Sequence, residues 1–263
     1  MATTRKRSMR PGMLPLIVAT LVGAMPAAAA AEGEPTATPY RPSVSTPAAL
    51  SAPGWIEIET GLGHARAGGS RLDAAPVTVK LAFTPDWGIR IGGDAWQRHR
   101  DGSGRTSGIG DTGIVLKHRL AIDDARAFGL EAGVTLPTAH GHAGIGKPAW
   151  GVNAIYSADF GAWHTDLNLA FNRFGQREPG TSRMLWLWAA ALSRSLDERW
   201  GVVGELSGAH QRGDGHSSQA LLALSFAAMP RLTLDAGVAR SLRSGPTTWS
   251  VFTGLTWTAA RLF

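Results

Sequence analysis

Residues 127–136 read AFGLEAGVTL. Phe128, Leu130, Ala132, Val134 and Leu136 alternate with Gly129, Glu131, Gly133 and Thr135. A period of two gives an extended strand one apolar and one polar face, whereas a helix would smear both sets around its circumference. The same alternation recurs in both directions. Ile56, Ile58, Thr60 and Leu62 alternate with Glu57, Glu59, Gly61 and Gly63. Val77, Val79, Leu81 and Phe83 alternate with Thr78, Lys80, Ala82 and Thr84. Leu167, Leu169 and Phe171 alternate with Asp166, Asn168 and Asn172, and Leu232, Leu234 and Val238 with Thr233, Asp235 and Gly237.

Counting such runs predicts twelve strands, over 54–63, 76–84, 87–98, 111–120, 127–136, 150–158, 163–172, 184–194, 200–207, 220–228, 232–240 and 249–258. Most have the length that a tilted transmembrane strand needs, about 9–11 residues. The connections alternate long and short. Long ones cover 64–75, 99–110, 137–149, 173–183 and 208–219, short ones 85–86, 121–126, 159–162, 195–199 and 229–231, and a medium loop covers 241–248. Long extracellular loops and tight periplasmic turns are the signature of an outer-membrane barrel, and an even strand count returns both termini to the periplasmic side. The expected fold is therefore all-β, a transmembrane antiparallel up-and-down β-barrel of about twelve strands.

Composition agrees. The chain has 263 residues, 33 glycines, 10 tryptophans, 2 tyrosines and no cysteine, and only 17% of it is charged. Disulfides, thiol catalysis and Cys–zinc sites are excluded. A mean hydropathy of −0.04 is too polar for a helical membrane protein. It suits a barrel in which lipid-facing and lumen-facing residues average out.

The first 31 residues read as a cleaved secretory signal peptide. Arg5, Lys6, Arg7 and Arg10 precede the apolar run 13–25, followed by Pro26 and the small residues Ala27–Ala31. That run is too short for a membrane anchor, which needs about 20 residues. Cleavage is expected after Ala30 or Ala31. Removing four basic residues leaves 22 basic against 20 acidic, a formal +2. No clustered basic footprint for nucleic acid survives. Residues 32–52, rich in Pro, Ser and Thr, form the second region, a periplasmic lead-in or a plug for the lumen. Residues 53–263 form the barrel.

Tryptophan placement is an independent check. Trp55, Trp87, Trp163, Trp200 and Trp257 fall at expected periplasmic strand ends, and Trp96, Trp150, Trp186, Trp188 and Trp249 at or near extracellular ends. Two interfacial girdles are expected of a membrane barrel, and a soluble sandwich has no reason to sort tryptophan this way.

Three separated motifs carry a family resemblance. They are Arg41-Pro42-Ser43-Val44-Ser45-Thr46-Pro47 before a Glu-rich first strand, Gly108-Ile109-Gly110-Asp111-Thr112-Gly113 with Lys117 following, and Gly133-Val134-Thr135-Leu136-Pro137-Thr138. Over roughly residues 41–260 the chain resembles the meta-pathway phenol-degradation transporter family of Gram-negative outer-membrane barrels. The resemblance implies a channel for hydrophobic or aromatic compounds. The terminal Phe263, with Gly254 and Trp257, resembles the C-terminal signal read by the barrel-assembly machinery, although Ala259 stands where a second aromatic belongs.

With the polar face inward, Lys80, Arg90, Lys117 and Arg119 form a basic wall on strands 2–4. Glu57, Glu59, Glu131, Asp166, Glu205 and Asp235 supply acids elsewhere in the lumen. Four neighbouring cations need opposing acids. Lys80 is expected to pair with Glu57 or Glu59, Lys117 or Arg119 with Glu131, and Arg90 to be the least paired and the most available to an anionic or phenolate-like solute.

No enzyme is indicated. His118 has no partner serine at strand spacing, and there is no G-x-S-x-G elbow. Gly108-x-Gly110 and Gly144-x-Gly146-Lys147 lack the strand–loop–helix context of nucleotide loops. Six of the eight histidines fall in expected extracellular loops, including His140, His142, His210 and His216. A metal site needs three or four convergent ligands, so these read as solvated loop residues. No cofactor or metal is expected. The expected partners are outer-membrane lipid, the barrel-assembly machinery and a small-molecule solute. The functional reading is a passive channel for small organic solutes. Its alternative is a closed structural or surface-binding barrel.

Overall fold

A computed structural model of the chain describes residues 34–141, 144–242 and 248–263. The expected signal peptide, 1–31, lies outside the described residues, as does His142. Strands β1 (Trp55–Ala67), β2 (Ser70–Ala82), β3 (Trp87–Asp101), β4 (Gly104–Gly108), β5 (Thr112–Ala121), β6 (Arg126–Leu136) and β7 (Ala149–Phe160) make the first half. Strands β8 (Trp163–Arg173), β9 (Met184–Ser195), β10 (Trp200–Gln211), β11 (Gly215–Met229), β12 (Leu232–Ser241) and β13 (Thr248–Arg261) make the second. Every strand pairs antiparallel with its chain neighbour except β4 with β5, and β1 pairs with β13 along its whole length. The sheet closes on itself, so no barrel edge is left unpaired.

The barrel has twelve staves, because β4 and β5 share one. Both pair with β3, β4 through Gln97–Asp101 and β5 through Trp87–Gly92. The stave breaks at Ile109–Asp111, where Ile109 bridges instead to His140.

Three connections that the sequence reading takes as long loops are β-hairpins. β1 and β2 continue past 64–75 to a turn at Gly68–Gly69, both at positive φ. β3 and β4 occupy most of 99–110, and β10 and β11 most of 208–219. Their sequences are mixtures of Gly, Ser, Arg and His with no apolar face, so their period of two left no hydrophobic trace. At the other end the turns are tight. Gly161, at φ 64°, allows the two-residue turn between β7 and β8. In the turn before β10, Asp197 accepts the backbone N–H groups of Trp200 and Arg199, both at 2.7 Å, which holds its carboxyl below the usual range.

Outward positions carry an apolar belt that includes Leu62, Ile91, Leu130, Leu169, Leu206 and Leu222, all exposed. Nine tryptophans are exposed on this surface, and the tenth, Trp55, is half-buried with the Arg231 guanidinium 4.6 Å from its ring. A belt of this extent is incompatible with water on the outside.

Candidate functional site

Residues 34–52 run inside the barrel. Tyr40, Arg41, Ser43, Ser45, Thr46 and Ala48 are buried. The segment has no regular structure, so its backbone groups need partners from the wall. Glu57 accepts the Thr38 N–H at 2.8 Å and Glu59 accepts the Tyr40 N–H at 2.5 Å. Glu205 accepts the Val44 and Ser45 N–H groups, both at 2.8 Å. Asn168 accepts the Thr46 N–H at 2.8 Å and donates to its carbonyl at 2.9 Å. Ser157 accepts the Ala48 N–H at 2.7 Å. Lys80 donates to the Thr38 carbonyl at 2.6 Å, and Lys117 donates to that of Pro47.

Two side chains of the segment fix its depth. Arg41 makes a two-pronged bond to Asp235, at 3.0 and 3.1 Å, and a third to the Thr253 carbonyl at 3.2 Å. Gly61 and Gly254, opposite each other on β1 and β13, lie flat beneath it. A Cβ at Gly254 would fall 2.5 Å from Arg41 Nε, and one at Gly61 would fall 2.8 Å from a terminal guanidinium nitrogen. The Tyr40 ring lies between two cations, with Lys80 Nζ 3.8 Å and Lys117 Nζ 4.2 Å from its centroid.

The charged residues singled out from the sequence have definite places. Lys80 pairs with both Glu57 at 2.6 Å and Glu59 at 2.7 Å. Lys117 lies 3.6 Å from Glu131. Arg119 sits at the turn-end rim, 4.0 Å from Asp86 and away from Glu131. Asp166 bonds Ser157 and His164, and His164 also reaches Asp159 at 2.6 Å. Arg90 corrects the expectation that it is the least paired. It reaches across β5 to Glu131 at 3.2 Å. Val115, opposite Arg90 on β5, pairs on its other side with Gly133, and neither carries a polar side chain, so Arg90 turns one rung along to Glu131. Glu57, Glu59, Glu205 and Asp235 face the inner segment at close range, so they bind peptide N–H groups and a guanidinium instead of lining an open bore.

A second correction concerns the rest of the wall. On β9–β13 the wall is mixed, with Leu185, Val203, Leu221, Ala223 and Phe252, all buried, sharing the inward face with Glu205, Ser207, Asp235 and Thr256. Leu221 stands directly opposite inward Glu205, which fixes its direction. Tyr40, Arg41, Asn153 and these apolar inward residues carried no period-two signal of their own.

Between the two walls, on the loop side of Val44 and Thr46, lies a cavity of about 310 Å³. Arg90 with its partner Glu131, Thr78, Asn153, Asn168 and Asn172 give it polar groups, and Val115, Ala170 and Leu187 an apolar surface. Gly92, Gly113, Gly133 and Gly151 form its backbone-only side. Thr78 Oγ1, Arg90 Nε, Glu131 Oε1 and Asn153 Oδ1, all on residues that line it, are buried with no hydrogen-bond partner among the described residues. A buried polar atom without a partner is costly, so four on the lining of one cavity mark its polar side.

Of the remaining candidates, Gly254 seats Arg41, Trp257 is on the outer surface, and Phe263 is exposed beside Gly54. Among the described residues no group of three or more His, Asp or Glu side chains is arranged to hold a metal.

No protein-family model matches the chain, and neither does any curated protein sequence. Solved structures do. An outer membrane channel from Pseudomonas putida F1 aligns with a TM-score of 0.63 at 13% identity, covering 80% of this chain and 97% of that one. The NanC porin aligns at 0.61 and 9% identity, over 77% of this chain and 100% of that one. The CymD monoaromatic hydrocarbon channel aligns at 0.51 and 9% identity, over 81% and 90%. At these identities the likeness shows the fold alone, a closed antiparallel β-barrel of the kind these channels share.

Proposed function

We propose that the protein is an outer-membrane channel that passes small organic solutes passively, with residues 34–52 as the element that controls the bore. The observation that carries this reading is the cavity above the segment, with unpartnered polar atoms on one side and aliphatic side chains on the other. Its volume, about 310 Å³, exceeds the roughly 150 Å³ that holds benzene and falls within the small-ligand range. An aromatic or short aliphatic solute bearing one hydroxyl or carboxylate matches both walls. Arg90 would hold the polar group, while Leu187 and Val115 would cover the apolar body. The three-motif resemblance to phenol-degradation transporters and the fold shared with known channels support the same reading.

Planar-bilayer conductance and solute-loaded liposomes test it. The purified barrel should shift in mobility between heated and unheated SDS samples, as a closed barrel does, and should pass benzoate or phenol faster than glucose. Arg90→Glu should shift the reversal potential in a salt gradient toward cations while leaving the heat-dependent shift intact. The second reading, a closed structural barrel, is favoured by the density of hydrogen bonds that holds the segment. It would be supported by no current from either the full chain or a chain in which Arg41→Ala loosens that segment.

A further inference from the structure

We propose that the outer surface at the loop end carries a binding site for a phosphorylated glycolipid headgroup of the outer leaflet, built from a single row of arginines. Arg66 on β1 stands directly opposite Arg71 on β2, Arg71 opposite Arg100 on β3, and Arg100 opposite Arg105 on β4. Directly opposed residues of antiparallel neighbours share a face. That face is the outer one, because Glu57 and Glu59 have the opposite parity to Arg66 on β1 and point into the lumen. All four arginines are exposed. Neighbouring strands are about 4.8 Å apart, so four guanidinium groups lie along about 14 Å of wall.

Like charges directly across a sheet are unfavourable, and among the described residues no carboxylate pairs with any of the four. Asp73, one rung closer to the membrane, is committed to His64 at 2.6 Å and to Arg98 at 2.8 Å. Asp101 accepts the N–H and hydroxyl of Ser103. Arg66 Nε donates to His64 Nε2 at 3.2 Å. Among the described residues, Arg71, Arg100 and Arg105 make no ion pair.

The row also continues the aromatic girdle. Arg66 is opposite Trp249 on β13, and Trp249 is opposite Arg240 on β12, whose guanidinium lies 4.9 Å from the indole. Below it, Arg98 lies 5.2 Å from Trp96. Indoles sit at the headgroup level of a bilayer. Strands tilt by roughly 40°, so a rung that starts at the girdle spans headgroup depth. Guanidinium groups bind phosphate through paired N–H donors, and a row of four suits a headgroup bearing more than one phosphate.

This rests on the outer-membrane reading above, and the test separates the two. The full barrel, refolded in zwitterionic detergent, is titrated with diphosphoryl lipid A, dephosphorylated lipid A and inorganic phosphate, with bound species counted by native mass spectrometry. Each basic residue near an anionic surface contributes about a factor of five. The combined change Arg71→Gln, Arg100→Gln and Arg105→Gln should therefore weaken diphosphoryl lipid A by about 100-fold. Arg126→Gln with Arg194→Gln, at the opposite rim, should leave binding unchanged. Dephosphorylated lipid A should bind weakly, and inorganic phosphate at equal concentration should not displace the lipid. Equal retention by the triple variant, equal loss in the rim control, equal binding of dephosphorylated lipid, or displacement by inorganic phosphate overturns the site. A barrel that shifts on heating and conducts, yet carries no lipid A, overturns the site alone. One that neither shifts nor conducts overturns both readings.

Discussion

Removing the Arg41 guanidinium should release the inner segment without opening the barrel. Arg41 and Asp235 are 5% and 3% exposed and share two hydrogen bonds, with a third from Arg41 to the Thr253 carbonyl. Removing one partner of a buried pair costs about 3–5 kcal/mol, because the other charge is left without water or counter-ion. The strands themselves keep every ladder bond, so the cost falls on the seated state of residues 34–52. At 1.4 kcal/mol per factor of ten, Arg41→Ala should raise the unseated-to-seated ratio by between about 10² and about 4 × 10³. Replacing both residues, Arg41→Leu with Asp235→Leu, removes the stranded charge and should recover most of that loss. The chain has no cysteine, so Ser43→Cys supplies a single thiol at a fully buried point of the segment. Labelling by a membrane-impermeant maleimide should be slow in the Ser43→Cys parent, faster by about two orders of magnitude with Arg41→Ala added, and slow again in the paired replacement. Equal labelling rates in all three barrels, each still shifting on heating, would refute the assignment of Arg41 as the anchor.

The other structural assignments lead to further tests. Lys80→Met leaves Glu57 and Glu59 facing each other without their shared cation. The midpoint of the heat-dependent gel shift should fall, by an amount in the range of about 3–5 kcal/mol for a broken buried pair. Gly254→Val puts a Cβ 2.5 Å from both Arg41 Nε and the Thr60 carbonyl of β1, so it should accelerate labelling at Ser43→Cys and also lower the midpoint of the heat-dependent shift, which Arg41→Ala leaves in place. The depressed carboxyl of Asp197 gives a pH dependence with a definite sign. Its contribution is fully present above the ordinary carboxylate range and is lost as pH falls through the lower folded value. The amide resonances of Arg199 and Trp200 should therefore move together only in acid below that range, and Asp197→Ala should abolish the transition.

The barrel was legible from the amino-acid order alone. Runs such as 127–136 alternate because one face meets lipid and the other does not, and that constraint writes itself into every second residue. The same parity placed Glu57, Lys80, Lys117, Glu131, Glu205 and Asp235 inward, and put the Lys80–Glu57/Glu59 contacts one rung apart. Where parity is silent, the closed sheet sets the outcome. The stretch 184–192, MLWLWAAAL, is apolar on both faces, so alternation says nothing there and only the girdle reading of Trp186 and Trp188 hints at their side; the inward direction of Leu185 and Leu187 follows from pairing with Gln211 and Ala209 on β10. The hairpin extensions at 64–75 and 208–219 are polar on both faces and equally mute. The place of residues 34–52 was beyond any local pattern, because its bonds join Tyr40 to Glu59, Val44 to Glu205 and Arg41 to Asp235 across separations of 19, 161 and 194 residues. An irregular backbone can be buried only where a wall supplies acceptors for its N–H groups, and those acceptors converge only when the barrel closes.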